Sequence, residues 1–173
     1  MIRMIGNFLR MLEQSPDGYL CANVQAMCSA FKVDVVNGLH AFGTSVARAG
    51  TTKDTFNGAL FLVSASRGAA DTVYTTTGEL ANTGNYTQGG VAVTNAVAPA
   101  LSGTAMIWTP SAALSWAALT SSAAFDALVL YNATSATKLE VAVFTFGSQT
   151  VTAGTFTVNM PANGLGTALL QLT

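Results

Sequence analysis

Thr155-Phe156-Thr157-Val158-Asn159-Met160 sets the reading of the whole chain. Its apolar side chains fall on every second position, and successive side chains of an extended strand point to opposite faces. One face of this segment is therefore suited to a core and the other to solvent, as in a half-buried antiparallel strand. Strand-length segments of similar character precede it at residues 56–63, 91–97, 104–109, 125–131 and 138–146, and residues 167–172 follow it. Between them lie turn-forming stretches: Gly84-Asn85-Tyr86-Thr87-Gln88-Gly89-Gly90, Ala133-Thr134-Ser135-Ala136, Gly147-Ser148-Gln149-Thr150 and Pro161-Ala162-Asn163-Gly164. Short strands at this spacing predict a mainly β domain, an antiparallel β-sandwich or jelly roll, rather than a parallel α/β sheet.

Before residue 55 the period changes. Ile2, Ile5, Leu9 and Leu12 recur at helical steps, with Phe8 beside them, so residues 2–13 are predicted as a short amphipathic helix. Ser15-Pro16-Asp17-Gly18 stops it. A second helix is expected over residues 30–41, with Ser29 as its N-cap and Phe31, Val35 and Leu39 on one face. The expected organisation is a helical arm over residues 1–28 and a β domain over residues 29–173. A chain of 173 residues buries roughly 70% of its unfolded surface, so the domain needs no disulfide or metal. Cys21 and Cys28 fit neither a disulfide framework nor a zinc spacing.

Charge is the unusual feature. Only 9% of residues are charged, against roughly 25% in an ordinary domain. None lies between Glu79 and Asp126, and the net charge is −1. Lysines and arginines form no cluster, which argues against nucleic acid as a partner. No apolar stretch is long enough for a membrane helix. Residues 1–13 begin like a signal peptide, but Arg10 and Glu13 interrupt the apolar run and no small-residue cleavage site follows. A surface supplied by Thr, Ser, Asn and Gly suits packing against other subunits, where desolvating hydroxyls costs less than desolvating charges.

The chemical motifs are weak. His40 and Ser45 suggest a nucleophile elbow, but the last glycine and the α/β setting are missing. Gly84 to Gly90 lacks the lysine of a phosphate loop. Asp126 and Glu140 sit on neighbouring predicted strands and are the one candidate carboxylate pair for glycoside cleavage. Asn85-Tyr86-Thr87 and Asn132-Ala133-Thr134 match the glycosylation tripeptide. Trp108 and Trp116 are expected in the core, with exposed binding loops as the alternative. No catalytic residue, metal ligand, cofactor or small-molecule substrate is expected.

Several segments together resemble small virion structural proteins of tailed bacteriophages. They are Phe31-Lys32 with Gly38-Leu39-His40, Asp54-Thr55-Phe56 with Ala59-Leu60, Tyr74-Thr75-Thr76-Thr77-Gly78-Glu79, and the 84–90 loop. Ala127-Leu128-Val129-Leu130-Tyr131-Asn132, Val141-Ala142-Val143-Phe144-Thr145-Phe146-Gly147 and Gly154-Thr155-Phe156-Thr157-Val158 continue the likeness. It covers residues 29–173, and its motifs are structural. The resemblance implies a capsid cement or decoration protein, or a neck, tail or fibre part contacting the host. It implies a location in the virion after synthesis in the bacterial cytoplasm. Implied partners are the major capsid protein, other virion subunits and further copies of the chain. Ile5, Phe8, Leu9 and Leu12 are the expected subunit-interface residues. A virion-associated glycosidase acting through Asp126 and Glu140 is the remote alternative.

Overall fold

The computed structural model describes residues 24–28, 38–42, 53–94, 97, 99–103, 105–110 and 112–172. The protein is mainly β. Its strands are β1 (Val24–Met27), β2 (Phe56–Leu62), β3 (Val91–Ala92), β4 (Ala100–Ser102), β5 (Ala105–Trp108), β6 (Leu114–Leu119), β7 (Phe125–Asn132), β8 (Glu140–Gln149), β9 (Gly154–Val158) and β10 (Leu170–Leu172). The one helical element among the described residues is a 3-10 turn, Val63–Ala65. Three sheets form, with strand orders β1-β8-β7-β2-β3, β10-β5-β4 and β6-β9. Every strand pairing is antiparallel.

The central strands β7 and β8 are apolar on both faces, and the structure buries both. That is why they read as continuous apolar runs rather than as alternations. Against the large sheet, aromatic rings from the small sheets interlock. Phe125 of β7 meets Phe156 of β9 edge-on at 4.9 Å, and Phe56 of β2 lies 6.0 Å from Trp108 of β5. Edge-to-face pairs align the positive ring edge with the negative face. Trp116 packs 6.1 Å from Phe156. Both tryptophans are thus buried core residues, and neither lies on an exposed loop.

Three expectations change on contact with the structure. Val24–Met27, assigned by sequence to the arm, is a strand on the edge of the large sheet, paired with β8. Gly38 to Phe42 is not helical, and Gly38 has φ +68, so the helix expected over 30–41 does not reach its predicted end. Among the described residues of 91–97, only Val91–Ala92 form a strand. The remainder of that second helix, residues 29–37, and the arm helix with Ile5, Phe8, Leu9 and Leu12 lie outside the described residues, as do Cys21 and Ser45.

Candidate functional site

The long connection between β2 and β3, residues 63–90, carries most of the chain's internal chemistry. Connections of this length are rare without secondary structure of their own and need anchoring. Backbone bonds tie its residues 78–80 to β2: Leu62 N donates to Gly78 O at 2.8 Å, and Leu80 N to Leu60 O at 2.9 Å. Its residues 72–74 are held at the start of β8, where Tyr74 N donates to Lys138 O at 2.9 Å and Glu140 N to Thr72 O at 3.0 Å.

Three polar clusters are buried in the domain, and the first two lock this connection. In the first, Glu79 is the hub. Its Oε1 accepts from Tyr86 Oη at 2.6 Å and from Gly89 N at 2.7 Å, and its Oε2 accepts from Tyr74 Oη. Tyr86 Oη in turn accepts from Leu60 N at 2.9 Å. The Tyr74 ring stacks on Tyr131 at 3.9 Å, and Tyr131 Oη donates to Gly89 O at 2.9 Å. Burial, then the hydrogen bond to Glu79, pushes the Tyr74 and Tyr86 phenols far above their ordinary range. Both therefore stay protonated as donors, and the carboxylate is encircled.

The second cluster joins Arg67 to Glu140. The Arg67 guanidinium donates to Glu140 Oε1, lies 3.2 Å from Asp71 Oδ2, and sits 4.5 Å above the Phe61 ring. Glu140 is fully buried, and its Oε2 has no hydrogen-bond partner among the described residues. Burial pushes its carboxyl pKa up, against the opposing pull of Arg67. Cys28 is buried close by. Desolvation, with the Glu140 charge next, raises its thiol to about 12. A shielded, protonated thiol is a poor nucleophile at neutral pH.

The raised Glu140 value has a consequence for stability. The folded state holds this proton more tightly than the unfolded state, whose value is 4.5. The stability it contributes is complete below pH 4.5 and is lost as pH rises through the higher folded value. Chemical denaturation from pH 4 upward is expected to show native stability falling relative to Glu140→Gln across that window. A pH-independent difference between the two proteins would refute the assignment.

The third cluster is Asp54, Asn132 and His40. Asn132 Nδ2 donates to Asp54 Oδ2 at 2.8 Å and lies 3.2 Å from His40 Nδ1. Asn132 Oδ1 accepts from Thr134 N and Ser135 N, both at 3.0 Å. The Asn132 amide is thus buried and fully engaged, so this glycosylation tripeptide is not displayed. His40 is 8% exposed and stacks on Phe42 at 5.8 Å, which places it in a packing role.

Asp126 and Glu140 do not face each other. Glu140 pairs with Tyr131, and Asp126 sits five positions earlier on β7 beside a register shift. At roughly 3.3 Å per residue, about 16 Å of strand separates them, well beyond the roughly 6.5–9.5 Å of an inverting pair. The 84–90 segment is a tight loop, with Gly84, Gly89 and Gly90 at positive φ. A surface pocket of about 460 Å³ lies between Thr109–Ala113 and Asn159–Asn163, and none of its lining side chains ionises.

Sequence reasoning did not single out Glu79, Arg67 or Asp54. The one available signal was a lone acid, Glu79, flanked by Tyr74 and Tyr86 at the start of a long charge-free stretch.

Burial also changes the meaning of the charge deficit. The described charged residues are Lys53, Asp54, Arg67, Asp71, Glu79, Asp126, Lys138 and Glu140. Asp54, Glu79 and Glu140 are buried, Arg67 is committed to Glu140 and Asp71, and Lys138 Nζ donates to Ala133 O. Lys53 alone among them is fully on the surface. The exterior of the described domain is even poorer in charge than the composition.

Comparison with protein-family models, curated proteins and solved structures finds no match.

Proposed function

We propose that this chain is a structural subunit of a tailed-phage particle, and within it a capsid cement protein. In this reading a β-sandwich or jelly-roll-like domain sits on the head lattice and bridges major capsid subunits. The observation that carries the proposal is the nearly uncharged exterior formed by the described residues. An isolated soluble domain relies on surface charge to stay dispersed, whereas a surface that spends its life against neighbours avoids the cost of desolvating charge. Among the described residues, Arg67, Asp71, Glu79 and Glu140 are spent internally, clamping the 63–90 connection to the sheet. A protein that binds the assembled lattice but not loose subunits stabilises the lattice by mass action.

The buried tryptophans remove the aromatic motive for a host-contacting fibre role. The separation of Asp126 from Glu140 removes the motive for a glycosidase.

The arm completes the proposal. Residues 1–23 lead into β1, an edge strand, and their stripe of Ile5, Phe8, Leu9 and Leu12 docks on a neighbouring subunit. Fully burying each such side chain is worth roughly 1.5–3 kcal/mol before ordering costs. Deleting residues 1–18 is expected to leave a folded domain, judged by thermal melting, whose occupancy on particles drops by about tenfold or more. Full occupancy of the truncated chain would sink the arm role. A copy number of a dozen or fewer per particle, rather than hundreds, would sink the cement role.

A further inference from the structure

An asparagine followed by glycine leaves the next backbone nitrogen least hindered in reaching the asparagine's side-chain carbonyl carbon, because glycine has no Cβ. The chain has three such pairs: Asn37-Gly38, Asn57-Gly58 and Asn163-Gly164. Asn37 lies outside the described residues. The structure treats the other two in opposite ways. Asn57 and Gly58 lie within β2, paired with β7 on one side and β3 on the other. Gly58 is buried against Leu114 and Leu128, and Asn57 Nδ2 donates to Gly89 O at 3.1 Å. Asn163-Gly164 instead lies in the connection between β9 and β10, outside any strand. Asn163 is exposed, and its side-chain amide has no hydrogen-bond partner among the described residues. Gly164 N donates to Ala162 O at 2.9 Å, which closes a three-residue turn.

We propose that Asn163 is a self-modification site, deamidated to aspartate and isoaspartate by attack of the Gly164 nitrogen. In the first step Gly164 N gives up its proton to hydroxide and bonds to Asn163 Cγ. The Cγ–Nδ2 bond breaks, and the amide nitrogen takes a proton from water and leaves as ammonia. In the second step water opens the five-membered imide. Addition at Cγ yields aspartate, and addition at the main-chain carbonyl carbon yields isoaspartate. Nothing is oxidised or reduced, and solvent water with its hydroxide is the one co-reactant. Either product adds one negative charge to a net of −1. The charge appears on the rim of a surface pocket none of whose lining side chains ionises. Isoaspartate also lengthens the main chain by one carbon just before Gly164. The Gly164 carbonyl accepts from Thr167 N at 3.1 Å, Ala168 N at 2.8 Å and Gln171 Nε2 at 3.1 Å, so the corner leading into β10 is disturbed. The reaction needs no enzyme and accumulates with time, so it marks the age of the chain. It is independent of the packing role proposed above.

The test incubates the full chain in mildly alkaline buffer, native and in denaturant, and follows each pair by peptide mapping with mass spectrometry. Each native rate is compared with the rate of the same pair in denaturant. Asn163 has only a turn hydrogen bond to break, so its native rate is expected within about tenfold of its denatured rate. Asn57 reacts only after β2 opens in the large sheet, so its native rate is expected to fall by about a hundredfold or more. Native conversion at Asn163 should give both products and speed up as pH rises, since the attacking nitrogen must lose its proton. Gly164→Ala should slow conversion at Asn163 and leave Asn57 unchanged. Reading that variant in denaturant makes the result independent of its folding. Protection of Asn163 as strong as that of Asn57 would overturn the proposal. Aspartate without isoaspartate, or an unchanged rate in Gly164→Ala, would overturn it as well, because direct hydrolysis by water would then be the route.

Discussion

Replacing Glu79 with alanine is expected to lower the melting temperature by about 10 °C or more. The side chain is buried and accepts from three donors: Tyr86 Oη, Gly89 N and Tyr74 Oη. Removing the acceptor strands these donors in a site that water does not readily reach. Each such group costs roughly 1–3 kcal/mol, and a chain of this size loses about 2–4 °C per kcal/mol. The effect exceeds that of removing one donor at a time, because Tyr74→Phe and Tyr86→Phe each leave the carboxylate with its remaining partners. Tyr86→Phe is the costlier of the two single changes, since Tyr86 Oη also accepts from Leu60 N inside β2. The double variant Glu79→Ala with Tyr86→Phe should be less destabilised than the sum of its parts, as expected for groups in one network. Thermal denaturation followed by circular dichroism checks the series. A Glu79→Ala shift within about 2 °C of native would mean the hub is not structural.

The strands that sequence made legible are those whose side chains repeat with period two or run unbroken. Segments 56–63, 125–131 and 138–146 became β2, β7 and β8 within a few residues, because apolar runs of strand length have few other uses in a turn-rich chain. Strand β6 was missed for an identifiable reason. Its sequence Leu114-Ser115-Trp116-Ala117-Ala118-Leu119 alternates only as far as Trp116. A register shift then intervenes against β9, with Ala118 at φ +50, and Leu119 returns to the core out of phase. A bulge adds a residue to one strand and breaks the period that sequence reading depends on. β4 is three residues long, too short for any period to show. β1 was hidden by its setting, since four residues in the mixed stretch beyond the turn at residues 15–18 are too few for a period to show.

The polar clusters were illegible for a different reason. Two of the three depend on pairs far apart in sequence: Arg67 with Glu140 and Asp54 with Asn132 span 73 and 78 positions. No local pattern marks such partners. Composition did carry the consequence in coarse form. Among the described residues few charges are left for solvent once three acids are buried, and that scarcity is the feature on which the proposed packing role rests.

The glycines give the sharpest contrast, and the largest single-residue effect beside Glu79 is expected at Gly90. Its φ is +68, and a Cβ there would stand 1.9 Å from Gly58 O, 2.6 Å from Gly58 C and 2.8 Å from Ala59 Cα. All three are backbone atoms of β2, which is fixed on one side by pairing with β7. The obstruction cannot swing aside as a flexible side chain would. Gly58 itself cannot retreat across the sheet easily, because its other face lies against Leu114 and Leu128. Left-handed backbone costs a residue with a Cβ roughly 1–2 kcal/mol, and forcing atoms into a packed site adds roughly 1–3 kcal/mol. Gly90→Ala is thus expected to lose about 2–5 kcal/mol, or roughly 4–20 °C of melting temperature. Two companion variants separate the causes. Gly166 has φ +85 but open space around its Cβ position, so Gly166→Ala should show the backbone cost alone, about 1–2 kcal/mol. Gly68 has neither a positive φ nor a neighbour within 4 Å, so Gly68→Ala should be neutral or gain up to about 1 kcal/mol by stiffening the unfolded chain. The expected order of stability is Gly68→Ala, then Gly166→Ala, then Gly90→Ala by a wide margin. Equal losses at 90 and 166 in denaturant titrations would show that the close approach of the 84–90 loop to β2 does not exist in solution.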